Sequence, residues 1–401
     1  MTSLAPHAIN VVFSAEKGAY SRVPLSEEED LALRDLGIHR YVLRLGDLTR
    51  PTVIRRFLAG LRRRHGRPVA IVGHLGNNGW RAIPLAKRAG IPILTTFHGT
   101  DVTLDLDSEK YGWRYQRLRE APAARWLTVA SHLAQRLTAW GIPPSRVATH
   151  HLPVDLPQVH ESTRAPGAPL RLALIGRMIP VKGHIIAFDA LERVLQEQPD
   201  TTLALYGDGE LESRLRQEVQ NRGLQHAVRF EGNVPAERLR SSLREMHVVL
   251  QPSQIDSAGV VEGLPNSVLE AMATALPVIG SQHGGIGDAV RNEVTGLLVP
   301  EGDSAALGDA ILRLARDEAL RLQLGRAGRR RVEVEFSDPT RGAALAAQIA
   351  IARREYRALP RRQRAAAWQR AIVGLHQPES LRSRAKQELL VWHRGIVGTV
   401  G

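Results

Sequence analysis

With 401 residues, the chain is long enough for two ordinary domains, and its 43% apolar content gives each half material for a core. It contains no cysteine, which excludes a disulfide framework and thiolate chemistry. Its 54 basic and 41 acidic residues leave a net charge of +13, which favours encounter with polyanions without choosing among nucleic acid, anionic lipid and nucleotide-linked substrates.

The N-terminus lacks a basic start followed by a sustained apolar run, so no signal peptide is expected. No segment approaches the roughly 20 apolar residues that span a bilayer. A cytoplasmic protein is the expectation.

Short β-like runs alternate with amphipathic helical ones, as in parallel βα units. In the first half, strands are predicted near Ile9–Phe13, Arg40–Leu45, Val69–Val72, Ile91–Thr96, Trp126–Ala130 and Val147–His151. In the second half they fall near Leu170–Ile175, Thr202–Tyr206, Val228–Glu231, Val248–Gln251, Pro277–Ser281 and Leu297–Val299. Pro157–Pro169, rich in Pro and Gly and without apolar periodicity, reads as the linker. After Phe336 the chain is helical and basic. The predicted class is α/β, with two doubly wound parallel-sheet domains facing across a cleft. In such sheets ligands bind beyond the carboxyl ends of the strands, so chemistry is expected in the loops that follow them.

Two basic stripes raise the question of a surface partner. Ile54, Phe57, Leu58 and Leu61 share one helical face beside Arg55, Arg56, Arg62, Arg63 and Arg64. Trp368, Ala371, Ile372 and Leu375 repeat the spacing near Arg361, Arg362, Arg364 and Arg370. Either the stripes meet an anionic membrane surface, which would make the protein peripheral on the inner face of the cell membrane, or they pack onto their own domains.

The site residues lie after the second-half strands. Gly176–Gly183 reads G-R-M-I-P-V-K-G, and its Arg177 and Lys182 place two cations at a strand-to-helix turn that could hold a pyrophosphate. Farther on, Glu262 and Glu270 stand eight positions apart in E-G-L-P-N-S-V-L-E. Pro265 fits the first helical position, which leaves Glu262 in the loop and Glu270 in the second helical turn. A helix start offers free N–H groups and a positive dipole end, so this segment suits a ligand with both hydroxyls and phosphate.

G-R-M-I-P-V-K-G, L-Y-G-D-G-E-L, F-E-G-N-V-P, E-G-L-P-N-S-V-L-E-A-M-A and H-G-G-I-G-D-A-V, in this order, resemble the family 4 glycosyltransferases of the two-Rossmann-domain (GT-B) type. The similarity is close from Leu170 to Asp303 and extends to the first half through F-H-G-T-D-V. The resemblance implies an acceptor-side domain over residues 1–160, a nucleotide-sugar-binding domain over 168–340, and basic helices over 341–401 that partly cross back to the first domain. It implies that Glu270 bonds the ribose hydroxyls and that Glu262 lies near the donor sugar and its reaction centre. Gly263, Leu264, Pro265 and Asn266 match the turn that meets sugar hydroxyls and phosphate. Arg177 and Lys182 match the diphosphate pair. The loop from Glu231 to Val234, including Asn233, lies beside the base, and His98 faces the donor sugar.

Other signals carry less. Asp101 is expected to cap a turn. Asp105 and Asp107 form a D-x-D in a polar loop where no metal is expected, and His150 and His151 lack further ligands at zinc spacing. The loop after the first strand has Gly18 alone where the family has a glycine pair, and Asp288 stands where the family's acid is usually glutamate. The implied function is metal-independent, retaining transfer of a hexose from a UDP- or GDP-linked sugar, used as substrate with no cofactor, to a glycan or lipid-linked acceptor. The alternatives are a sugar-nucleotide epimerase of the same fold and a basic polyanion-binding protein with a vestigial donor site. No nucleic-acid partner is expected, because the basic stretches lack interleaved aromatics.

Overall fold

A computed structural model describes residues 9–14, 39–44, 50–109, 111–159, 164 and 168–372. The chain divides into two compact units. The first holds the residues up to Val129, Leu133–His150 and the chain from Arg341; the second holds Ala130–His132 and His151–Thr340.

In the first unit, β1 (Ile9–Ser14) pairs in parallel with β2 (His39–Arg44), and β3 (Ile71–His74), β4 (Ile93–Phe97), β5 (Arg125–Thr128) and β6 (Val147–Thr149) form a separate parallel sheet in that order. Phe97 and Trp126 stack face to face on neighbouring strands, with ring centroids 4.8 Å apart. Leu94 and Leu127 bury one sheet face against Leu345 and Ala352 of the helix Asp338–Ala358. Arg125 anchors that helix through Gln348 at 2.8 Å and Glu355 at 3.3 Å. The C-terminal helices from Arg341 onward thus belong to the first unit's core.

Both basic stripes are spent on packing. The helix Pro51–His65 buries Ile54, Leu58 and Leu61 against Leu85 and leaves Arg55, Arg56, Arg62 and Arg63 exposed. The helix Arg361–Ile372 buries Ala367, Trp368 and Ala371, and the Trp368 indole N–H donates to the Tyr356 hydroxyl at 3.1 Å. Among the described residues both stripes already cover protein, as the packing reading expects. Leu375 and the loop after β1 lie outside those residues. No helix among them is long and apolar enough to cross a membrane.

The second unit has one six-stranded parallel sheet, with β7 (Arg171–Ile175), β8 (Thr202–Tyr206), β9 (Val228–Gly232), β10 (Val248–Gln251), β11 (Val278–Ser281) and β12 (Leu297–Val299) in the order β12-β11-β10-β7-β8-β9. The winding direction reverses between β7 and β10, which pair directly through Leu174 and Leu250. That is the switch point at which the loops of two neighbouring strands diverge and leave a crevice. The central strands are nearly continuous apolar runs because helices cover both faces, whereas the edge strand β9 alternates, with Arg229 and Glu231 exposed. Leu172, Leu174, Val248 and Leu250 are fully buried together with Phe188 and Leu191 of the helix His184–Glu197. The helix Ser304–Arg316 lies close to that one at Gly308, where a Cβ would stand 2.9 Å from Arg193 Cδ. Its start is capped by Asp303, whose carboxylate accepts from the Ala306 N–H at 2.8 Å.

Candidate functional site

Polar side chains gather at the strand ends of each unit. In the first unit, β3 ends at His74 and β4 leads into His98. Both rings meet one hydroxyl, with Thr96 Oγ1 3.2 Å from His74 Nδ1 and 3.1 Å from His98 Nε2. A hydroxyl has a single proton, so at least one imidazole must donate to it. Burial pushes the His98 pKa down to about 4. Burial, with His98 beside it, does the same to His74. Both rings are neutral at pH 7 and offer hydrogen bonds without charge.

Asp101 holds the turn behind them. Its Oδ1 accepts from the backbone N–H groups of His98 and Gly99, both at 2.9 Å, and its Oδ2 accepts from Gly76 N–H at 3.0 Å. Burial pushes its pKa up, and these bonds pull the other way. Asp101 thus gathers donors that precede it and ties the β4 loop to the β3 loop. Asp105 and Asp107 are spent separately, on the Tyr115 hydroxyl at 3.2 Å and on Arg136 at 2.7 Å.

In the second unit, β7 is followed by Gly176 and the exposed Arg177, and a single 3-10 turn, Pro180–Lys182, precedes the helix that starts at His184. Lys182 therefore sits before that helix rather than opening it. Gly183, with φ of 69°, makes the bend; a Cβ there would lie 1.9 Å from the Pro252 carbonyl oxygen in the loop after β10. That close approach brings the β7 and β10 loops together. Lys182 Nζ lies 2.6 Å from Glu262 Oε1, and both side chains are largely buried. Glu262 Oε2 accepts from the Ser253 hydroxyl at 2.5 Å. Gln251 joins the set, its amide donating to Ser253 Oγ and its carbonyl accepting from the Ser267 hydroxyl, both at 2.8 Å. Beneath Lys182, His184 is buried, and burial followed by the Lys182 charge lowers its pKa to about 4.

Pro265 proves to be the residue before the helix Asn266–Ala273: its ψ of 128° is extended, and its carbonyl receives the Val268 N–H at 3.1 Å. The helix begins one residue later than proline at the first helical position would place it. Glu270 and Asn266 line a cavity of about 180 Å³ together with Asp155, Arg240, Leu269 and Thr274. Burial pushes the Glu270 pKa up, Arg240 draws it down and Asp155 adds to the rise. Arg240 and Asp155 form an ion pair at 3.2 Å. Glu262, Gly263, Leu264, Pro265, Arg177, Lys182, Asn233 and Val234 do not line this cavity. Asn233 is exposed and Val234 half-buried in the loop after β9.

The residues that sequence reasoning passed over are His74, Ser253, Gln251, Asp155 and Arg240. His74 carried the same signal as His98, a histidine at a strand end. Asp155 and Arg240 carried none, because only the fold brings them to Glu270. The acid Asp288 accepts from Ser131 Oγ at 2.5 Å and from His151 Nε2 at 3.1 Å, which gives His151 its partner. Burial favours the neutral acid at Asp288, but these bonds outweigh it and hold its pKa below the usual range.

Comparison with known proteins identifies the family. Residues 7–158 match the family model Glycosyltransferase Family 4, and residues 157–331 match Glycosyl transferases group 1. The amylovoran biosynthesis glycosyltransferase AmsK of Erwinia amylovora is 31% identical over 245 residues, which cover 61% of this chain and 60% of AmsK. The chain thus spans less than two thirds of that relative. The GDP-mannose-dependent alpha-(1-6)-phosphatidylinositol monomannoside mannosyltransferase of Mycolicibacterium smegmatis is 30% identical over 296 residues, covering 68% of this chain and 74% of that protein. Among solved structures, HepE of Anabaena in complex with UDP superposes with a TM-score of 0.65 at 16% identity, over 86% of this chain and 99% of HepE. That likeness is one of fold, and the fold is GT-B. The chain belongs to the family 4 glycosyltransferases of the group 1 type.

Proposed function

We propose that the protein transfers a hexose from a UDP- or GDP-linked sugar to a glycan or lipid-linked acceptor in polysaccharide or glycolipid synthesis, with retention of the anomeric configuration and without a metal. The observation that carries this reading is the placement of Lys182, Glu262 and the Glu270 helix on the β7 and β10 loops, at the reversal point of the second sheet. AmsK is described as acting in amylovoran biosynthesis, the mycobacterial relative as GDP-mannose-dependent, and HepE was solved with UDP. These names support a sugar nucleotide as donor and leave both bases in play.

In the proposed reaction the bond between the anomeric carbon and the diphosphate oxygen breaks. The acceptor hydroxyl oxygen bonds to the same face of that carbon, and its proton passes to the leaving phosphate. Arg177, Lys182 and the N-terminus of the helix Asn266–Ala273 offset the charge gathering on the diphosphate. Glu270 accepts from ribose hydroxyls inside its cavity. The loop holding Asn233 and Val234 flanks the base, and the turn Gly263–Asn266 offers backbone groups to sugar and phosphate. His98 gives a sugar hydroxyl a neutral partner. With the apolar stripes buried, any contact with an anionic membrane falls to the exposed arginines, Arg55, Arg56, Arg62 and Arg63 of one helix and Arg361, Arg362 and Arg370 of the other, and replacing all seven by Ala should abolish vesicle binding at low salt.

The test is calorimetric titration of UDP, GDP, ADP and dTDP, in the presence of a chelator, into the wild type and Glu270→Ala. One diphosphate should bind, and the substitution should weaken it about tenfold or more, as loss of a charge-assisted hydrogen bond does. Equal binding by the variant overturns the donor site. Release of nucleoside diphosphate only when acceptor is present separates transfer from epimerisation.

A further inference from the structure

One chain of hydrogen bonds, buried at its central histidine and exposed at its carboxylate end, has no part in the reaction as proposed. It starts at Glu301, just beyond β12, passes through His283, just beyond β11, and ends on the backbone of Glu262. Glu301 Oε2 lies 2.8 Å from His283 Nδ1, and Glu262 N–H points at His283 Nε2 at 3.3 Å. A backbone N–H can only donate, so Nε2 must accept and the ring proton must sit on Nδ1, where Glu301 receives it. His283 is buried, whereas the Glu301 side chain is partly open to solvent, so the ring's contact with the Glu262 N–H is the part of the chain shielded from water. The second oxygen of Glu301 accepts from Ile255 N–H at 2.6 Å.

Glu301 therefore grips both ends of the segment that leads from β10 to Glu262: directly at Ile255, and through His283 at Glu262. Between these ends Asp256 Oδ1 accepts from Ala258 N–H and Val260 N–H, each at 2.9 Å, so the middle of the segment holds itself. The glycines after His283 close the arrangement. Gly285 N–H donates to the Gly263 carbonyl at 2.9 Å, and a Cβ on Gly284 would stand 2.4 Å from the Glu262 carbonyl oxygen. Only a bare backbone can seat here.

We infer that Glu301 is a positioning residue for the transfer reaction, acting through the fixed tautomer of His283 to hold Glu262 against Lys182. The inference rests on the proposed role of Glu262 near the reaction centre. A carboxylate is required because both of its oxygens accept. Glutamine has the same shape but one acceptor, so it can satisfy Ile255 N–H or His283 Nδ1–H and not both. If its amide N–H turns to His283, the ring proton moves to Nε2 and opposes the Glu262 N–H.

The experiment compares wild type and Glu301→Gln by nitrogen-15 NMR of histidine-labelled protein, with the His283 signal assigned by its loss in His283→Gln. Hydrogen exchange of the peptide spanning 255–263 is followed in parallel. The wild type should show His283 with its proton on Nδ1 and a protected Glu262 amide. The variant should show the proton on Nε2, or exchange at 255–263 about tenfold faster, with the rest of the second unit unchanged. In a turnover assay kcat should fall about tenfold or more while the donor KM stays within about threefold, a split that general loosening of the fold would not give. A wild-type His283 with its proton on Nε2 overturns the inference, as does a variant with unchanged tautomer, exchange and kcat. Absence of turnover in the wild type would fall on the proposed reaction instead, since the tautomer and exchange readings need no substrate.

Discussion

The strand ends of the first unit present His74 and His98 around one threonine hydroxyl, whereas those of the second present a lysine bonded to a glutamate. Both sets are largely buried, yet their bonding partners differ. An imidazole without an acidic neighbour gives up its charge when water is removed, and both histidine pKa values fall to about 4. Lys182 Nζ lies 2.6 Å from Glu262 Oε1, with Ser253 bonding the second carboxylate oxygen. In the proposed reaction, the first unit offers its neutral rings to sugar hydroxyls and the second its charged pair to the diphosphate.

The largest test of this contrast removes the cation. Lys182→Met keeps the length and apolar stem but leaves Glu262 as a carboxylate with Ser253 and Gln251 alone. Transfer should fall about a hundredfold to a thousandfold, the usual cost of losing one group that stabilises transition-state charge. Diphosphate binding should weaken with it. Retention of transfer within tenfold would mean that the charged pair is a structural strut and that the phosphates are met elsewhere.

How far the sequence foretold this arrangement depends on the range of the interaction. Strands such as Val248–Gln251 and Leu297–Val299 were legible to the residue, because parallel strands covered on both faces read as apolar runs. Glu262 in a loop and Glu270 on the following helix were also legible, since Pro265 punctuates the chain there. The stripes at Ile54 and Trp368 announced a face but not what it covers: periodicity measures which side is apolar, and only packing says against what. Strand order was the main thing hidden. The Lys182–Glu262 pair joins residues 80 positions apart by bringing the β7 and β10 loops together. The separate β1–β2 sheet and the Asp155–Arg240–Glu270 cavity are likewise non-local. His74 was legible in principle and missed for want of a motif around it.

A pH titration sharpens the contrast at the next level of effect. The folded-state pKa of His74 and His98 is about 4, below the ordinary histidine value of 6.5, so the unfolded chain takes up protons that the folded one refuses. Their contribution is complete above pH 6.5 and is lost as pH falls toward 4. At pH 5 the loss is about 2 kcal/mol for each histidine. His74→Asn, which keeps a polar atom near the Nδ1 position, should recover about one such share, read as a smaller drop in denaturant midpoint between pH 7 and pH 5. An identical acid drop in the variant would show that His74 titrates normally and that the first site is not the neutral one described.

The smallest effect isolates the frame from the chemistry. Asp101 accepts three backbone N–H groups, and Asp101→Asn keeps the shape while turning one acceptor into a donor. If the amide oxygen keeps His98 and Gly99, the amide nitrogen faces the Gly76 N–H, leaving that buried donor unpaired at a cost of about 1 to 2 kcal/mol. The thermal midpoint should drop by a few degrees. Diphosphate binding should not change, because every residue assigned to the diphosphate belongs to the second unit. A variant that folds as stably as the wild type would imply that Asp101 is already protonated and donating, for burial alone favours that form. A variant that loses diphosphate affinity would tie the two sites together energetically, and the division into a neutral sugar side and a charged phosphate side would have to give way to a single coupled site.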